Sequence, residues 1–311
     1  MPAHEAGALG TEMNTKGQDR RPSGSTPLRR VMGSLIRART PLLGLVVLLS
    51  VIFLTVFAPV IAPHNPNSQE LELRLKPPFW VEGTVTAYPL GTDQLGRDIL
   101  SRLIYGARIS MLVGFMTAGL SGLVGLTLGL LAGYYGRLVD GIISRIIDVQ
   151  LAFPFVLLAL SIVAILGGGL LNVILVLGIG GWMSFARIVR ADAQALSIRE
   201  FVQAARCLGG SDWRIITRHI LPNVLAPVIV IGSFAVSTNI IYEAALTFLG
   251  VGVSPKIPTW GSMLADGRDY LSAGWWIATW PGLAIMVCVL GINLFGDWLR
   301  DVLDPRYGLE R

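Results

Sequence analysis

Arg199-Glu200-Phe201-Val202-Gln203-Ala204-Ala205-Arg206-Cys207-Leu208-Gly209-Gly210, continuing through Ser211 and Arg214 to His219-Ile220-Leu221-Pro222, is a polar elbow between two membrane-length apolar segments. Ile198, Phe201, Ala205 and Leu208 place an apolar stripe on a short helix opened by Ser197, and Gly209-Gly210 tolerates the left-handed dihedrals that end it. Ser211 stands where it caps a second helix carrying Trp213, Ile216 and Ile220. The expected unit is helix, hinge, helix, with small Ala204 and Ala205 at its centre to fit a groove on a soluble partner. A plain amphipathic connector would carry the same stripe and caps, so both readings stand at this point.

The rest of the chain is built for a bilayer. Of 311 residues, 53% are hydrophobic and only 14% charged, and the charges fall in blocks between long uncharged runs. No Asp, Glu, Lys or Arg occurs in 40–69, 109–136, 149–186, 219–242 or 270–296. A spanning helix needs about 20 apolar residues. Each run therefore spans once, and the third spans twice around the tight reversal Gly167-Gly168-Gly169. The fold class is all-α, a polytopic membrane protein with six spans near 42–62, 111–134, 150–166, 170–188, 222–249 and 275–295. Placing both termini inside puts 18 of the 25 Lys and Arg residues on the cytoplasmic side, as the positive-inside tendency favours. Arg97, Arg102 and Arg108 bend the rule by standing outside, close to the second span.

Residues 1–39 are rich in Gly, Ser, Thr, Pro and charge and read as a disordered cytoplasmic tail. They do not read as a signal peptide, because the apolar segment that follows is too long and starts too late. Residues 40–306 form the transmembrane domain, with an outer connection at 63–108, the elbow at 197–221 and a short tail at 307–311. Within the outer connection, Ile99, Leu100, Leu103, Ile104 and Ala107 recur at helical spacing, so a short amphipathic helix is expected in the outer interface, leading into the second span. It reads equally as a platform at a pathway mouth or as a structural collar.

Gly125, Gly129 and Gly133 at i, i+4 and i+8 form a small-residue stripe for close helix packing. Glu243, ionisable near the outer end of a span, is a functional candidate, with Asn239 one turn away to share hydrogen bonds. The alternative is a carboxylate solvated at the outer boundary. Asp297, Arg300, Asp301 and Asp304 extend the last span as an i+3, i+4 pairing ladder. Cys207 and Cys288 make no disulfide framework, and His4, His64 and His219 share no ligand spacing, so no metal site is expected.

Gln203-Ala204-Ala205, three residues, Gly209, then Leu221-Pro222 resembles the EAA signature of permease subunits of binding-protein-dependent ABC importers. Gln203 stands where the signature has Glu, and His219 where it has Ile; either Glu200 or Gln203 meets the partner. Segments 89–98 (PLGTDQLGRD), 243–252 (EAALTFLGVG), 258–261 (PTWG) and 293–305 (NLFGDWLRDVLDP) resemble the second, C-type permease of the peptide/nickel subfamily. The resemblance implies a type I ABC importer permease fold in a prokaryotic cytoplasmic membrane. It implies a heterodimer with a homologous permease, two ATPase subunits that bind ATP and Mg, and an extracytoplasmic solute-binding protein, with no nucleic acid among the partners. Glu200, Gln203, Ala204, Ala205, Gly209, Leu221 and Pro222 are then the ATPase-coupling residues, and Asn239 and Glu243 gate or pathway candidates. Peptides are the expected cargo, with nickel, glutathione-like or opine-like solutes as alternatives.

Lys16, Lys76 and Lys256 follow Thr, Leu and Pro, so the chain has no P-loop and no cofactor of its own is expected. Neither G-x-S-x-G nor H-E-x-x-H occurs, against a membrane hydrolase. Spans nearly free of charge argue against an ion-coupled secondary transporter, and a channel needs no elbow.

Overall fold

The computed structural model describes residues 39–303. Residues 1–38 of the tail expected at 1–39, the tail at 307–311, and Asp304 of the proposed charge ladder lie outside the described residues, and Arg39 opens the first helix. The chain is helical: α1 Arg39–Ile61, α2 Ile99–Tyr135, α3 Arg137–Leu151, α4 Phe155–Leu166, α5 Leu170–Gly180, α6 Trp182–Ser197, α7 Glu200–Cys207, α8 Asp212–Ile215, α9 Leu221–Phe248, α10 Trp260–Arg268 and α11 Trp276–Leu303. A π-helical turn, Ile216–Ile220, joins α8 to α9.

Five helical stretches among the described residues are long and apolar enough to cross a bilayer, and a sixth crossing requires α3 and α4 together. The expected uninterrupted span at 150–166 is therefore corrected to a broken one, bent by 86°. Pro154 is the physical reason: it lacks an N–H and its ring opposes the carbonyl of residue 150, so the helix stops and α4 restarts after it. At 12 residues, α4 is about 18 Å long, short of the ~30 Å hydrocarbon layer.

Packing fixes which ends lie together. On α2, Gly125 faces Trp182 and Phe185, Gly129 faces Ala186 and Val189, and Gly133 faces Arg190 and Ala193. Position numbers rise together, so α2 and α5–α6 run parallel, and α3–α4 between them must cross from one face to the other. A Cβ on Gly129 would sit 2.7 Å from Val189 Cβ and 2.8 Å from the Ala186 carbonyl oxygen, so the stripe is required for the approach. α9 runs opposite to α2, with Val224 packed by Leu130 and Tyr134; α1 also runs opposite to α2, since His64 just past its end bonds Ser101 at the start of α2, and its start meets the end of α11, Gly44 against Leu294. The start of α1, the elbow and the end of α11 thus share one face, the elbow face; the connections 62–98 and 249–275 share the other, the loop face.

The expected short interfacial helix is not separate. It is the first part of the 37-residue α2, whose N-terminus Asp98 caps by accepting from Leu100 N and Ser101 N at 3.2 and 3.1 Å. Its side chains pack inward because the loop-face connections fold over them: Ser101 and Arg102 are buried, the latter donating to Asp93 and Asp266. Arg97 bonds the same two carboxylates at 2.6 and 2.8 Å. These pairs account for Arg97 and Arg102 and favour the collar reading, whereas Arg108, the third cation that bent the positive-inside count, is exposed and makes no ion pair among the described residues. Trp276 Nε1 donates to Thr92 O at 3.0 Å, pinning the segment to α11. His64 stacks on Tyr88 at 4.6 Å and lies 3.2 Å from Asp98. Burial and the Glu70 carboxylate push the Tyr88 hydroxyl above its ordinary range.

Of the charge ladder at the end of α11, Asp297, Arg300 and Asp301 make no ion pair with one another among the described residues, and all three are exposed to solvent that competes for them.

Candidate functional site

The elbow is two short helices meeting at a glycine. α7 ends in a Schellman arrangement: Gly209 N donates to Arg206 O and Gly210 N to Ala205 O, each at 3.0 Å. Gly209 has φ +79°, the left-handed conformation its position requires. Two capping expectations are corrected. Ser197 is the last residue of α6, its hydroxyl donating to Gln194 O at 2.8 Å, so it does not open α7. Ser211 occupies the N-cap position of α8, but its side chain makes no capping bond.

The buried side of the elbow is formed by Val202, Ile215, Ile216 and Ile220, which pack with Leu130 and Tyr134 of α2, Val189 and Ala193 of α6 and Val224 of α9. Tyr134 donates its hydroxyl to Asp212 at 2.7 Å, and the Arg206 guanidinium lies 5.4 Å over the Tyr134 ring. The expected apolar stripe lies on the opposite side. Ile198 is 77% exposed, Leu208 88% and Trp213 75%, with Phe201 also exposed. Only Ala205 of that stripe packs inward. An elbow that is apolar on both sides is anchored by one and presents the other.

Glu200, Gln203, Ala204, Gly209 and Pro222 are exposed, and Ala205 and Leu221 half-buried. Gln203 Nε2 donates to Ser197 O at 2.8 Å, bracing α7 against the end of α6. At the exit to the membrane, Leu221 N bonds Ile216 O, the wide i to i−5 pattern. Pro222 follows, at the start of α9, where its missing N–H and ring would otherwise disrupt an α-helical ladder.

Glu243 and Asn239 lie on α9, both buried. Glu243 is wholly inaccessible, so it is not solvated at the boundary. It accepts from Ser110 Oγ at 3.3 Å and Thr247 Oγ1 at 2.9 Å. No hydrogen bond joins it to Asn239 among the described residues: the carboxylate turns toward α2 instead. Ser110 Oγ also accepts from Trp260 N at 3.3 Å, so the loop-face segment before α10 closes over the carboxylate. Sequence reasoning missed Ser110, Thr247 and the Asp93–Arg97–Arg102–Asp266 group.

Residues 125–309 match the family described as "Binding-protein-dependent transport system inner membrane component". The chain belongs to this family. It is thus a multi-pass permease subunit of a binding-protein-dependent ABC importer, sited in the prokaryotic inner membrane. Residues 26–78 match the N-terminal transmembrane domain of oligopeptide transport permease C. The permease is 43% identical to the di/tripeptide transport system permease protein DppC of Pseudomonas aeruginosa, over 90% of this chain and 93% of the relative. It is 45% identical to the dipeptide transport system permease protein DppC of Escherichia coli K12, over 90% of this chain and 94% of that one. A putative peptide transport system permease of Brucella suis is 44% identical over 92% and 95%. Among solved structures, an inward-facing form of the MetNI methionine ABC transporter superposes with a TM-score of 0.53 at 20% identity, covering 66% of this chain and 98% of the other. The fold is that of a type I ABC importer permease.

Proposed function

We propose that this permease forms half of an ATP-driven import pathway for di- or oligopeptides, with the elbow as its seat for one ATPase subunit. The observation that carries the reading is the two-sided elbow. Its inward side is built into the ends of α2, α6 and α9, while Ile198, Phe201, Leu208 and Trp213 face outward. Such a body moves with the helices it caps and offers a partner an apolar surface, the requirement for converting a docked subunit's motion into helix displacement. The relatives' names supply the peptide class, and nickel, glutathione-like or opine-like cargo remains the alternative within the same machinery.

The wider assembly in this reading comprises a homologous permease, two ATPase subunits holding ATP and Mg, and an external solute-binding protein. The elbow face is cytoplasmic. Glu200, Gln203, Ala204, Ala205, Gly209, Leu221 and Pro222 are the coupling residues, and Glu243 holds the outer gate through Ser110 and Thr247 without contacting cargo. A crosslinker that forms reducible disulfides, bridging exposed Cys207 to a cysteine in the cleft of the ATPase subunit, tests the seat. The expected result is a crosslinked heterodimer whose formation stops transport and whose reduction restores it. Crosslinking that leaves transport at the wild-type rate would overturn the coupling role.

A further inference from the structure

A cavity of about 350 Å³ lies among α2, α4, α6 and α9, within the ~300–1,000 Å³ range of small-molecule sites. Two breaks in the spans open beside it: the α3–α4 bend, through Leu151 and Phe155, and the α5–α6 junction at Gly180-Gly181. Ser121 and Phe234 place it near mid-height of their helices. Irregular backbone at membrane depth is tolerated where it lines a cavity, and broken helices commonly mark sites where solutes pause.

The lining chemistry is specific. It holds no Asp, Glu, Lys or Arg, and it includes the rings of Phe155, Phe185, Phe234 and Tyr242. Asn239 also lines it, is 95% buried and has no side-chain hydrogen-bond partner among the described residues. Its amide is not among the sealed, unpaired polar atoms of the described residues, so it opens into the cavity and is free to pair with what enters. A carboxamide offers one acceptor and a donor pair, the complement of a peptide group. Neighbouring rings suit an apolar side chain.

We propose that this cavity is a resting subsite for a translocating peptide, in which Asn239 pairs with a backbone amide and the aromatic wall takes an uncharged side chain. The inference rests on the peptide-import reading and gives it a contact residue. The wall offers no counter-charge, so the charged ends of the peptide keep to the open side of the cavity while the side chain points to the rings.

The test uses the complete complex in proteoliposomes, with saturating binding protein and the dipeptide Ala-Phe. For Asn239→Leu, stimulation of ATP hydrolysis by loaded binding protein stays within about twofold of wild type, while uptake falls roughly fivefold or more. Asn239→Gln, which keeps the amide, recovers at least about half of the uptake. Wild-type uptake by Asn239→Leu, or loss of ATPase stimulation in parallel with uptake, overturns the contact role. In the wild-type complex, a dipeptide with a photoreactive phenylalanine side chain labels segments 180–185 or 234–242 during turnover; labelling confined to other segments overturns the subsite. If the wild-type complex imports no dipeptide, the function reading fails and takes this inference with it. Normal wild-type import with an indifferent Asn239 removes the inference alone.

Discussion

Tyr134, at the elbow-face end of α2, donates a 2.7 Å hydrogen bond to Asp212, the first residue of the helix that follows the elbow hinge. The bond ties two elements 78 positions apart, so that a displaced elbow pulls directly on α2. Tyr134→Phe keeps the ring beneath Arg206 and removes only this bond, worth about 1 kcal/mol. The expected outcome is faster amide hydrogen exchange across 199–215, together with a transport rate lowered severalfold and insertion unchanged. Unaltered exchange in the elbow would show that the packing of Ile215 and Ile216 holds it alone.

Gly209 separates strain from collision. A Cβ there would meet nothing within 4 Å, yet φ is +79°, so a β-branched residue costs roughly 1–3 kcal/mol through the backbone alone. Gly209→Val should lower coupled transport with insertion intact, whereas Gly209→Asn, which tolerates left-handed dihedrals, should stay close to wild type. Equal loss in both would place the fault in partner contact instead of hinge geometry.

Gly129 is the opposite case, an ordinary helical position closed by its neighbours. A side chain would press on Val189 and the Ala186 carbonyl, and overpacking of this kind costs about 1–3 kcal/mol. Gly129→Val should lower the thermal midpoint of the purified complex in detergent. An unchanged midpoint would mean that α2 and α6 separate freely at this height.

Glu243 is buried against hydroxyls, with no ion-pair partner among the described residues. Glu243→Gln retains shape and most hydrogen bonds, so assembly and substrate preference should hold while the transport rate changes. Glu243→Leu leaves Ser110 and Thr247 without their acceptor, and ATPase activity in the absence of binding protein should rise. A change in which peptides are carried would assign Glu243 to the pathway and remove it from the gate.

Much of the fold was legible because membrane constraints leave few alternatives. Charge-free runs located the crossings, and the spacing of Gly125, Gly129 and Gly133 has one use, close approach to a neighbouring helix. The Gly209 hinge was legible for a similar reason: left-handed backbone has few tenants. Pro154 was visible in the sequence, yet the charge-free run 149–186 was divided only at Gly167-Gly168-Gly169, which ran the helix through it. The solvent-facing side of the elbow was also misjudged as to caps, because Ser197 and Ser211 bear capping side chains without using them. What could not be read is what depends on distant partners. Arg102 meets Asp266 across 164 positions and Glu243 meets Ser110 across 133. A single sequence carries no local signal for either pair, so solvation at the boundary stood as an alternative for Glu243 and the loop-face cations looked misplaced.

Sidedness follows from native thiols and two added ones. Cys207 is exposed on the elbow and Cys288 buried within α11. In intact cells a membrane-impermeant maleimide should leave Cys207 and Ser211→Cys unmodified and label Ser68→Cys, with Cys207 becoming reactive once the membrane is opened. Labelling of Ser211→Cys from outside would invert the assignment of the elbow face.

The most direct measurement is accumulation of a radiolabelled dipeptide in proteoliposomes containing this permease, its homologous partner and the ATPase subunits, with binding protein supplied on the loop-face side. The account predicts accumulation against a gradient that requires ATP and Mg on the elbow-face side, and its loss when this chain is omitted. Accumulation driven by a proton or sodium gradient in vesicles holding this chain alone, with no dependence on ATP, would contradict it.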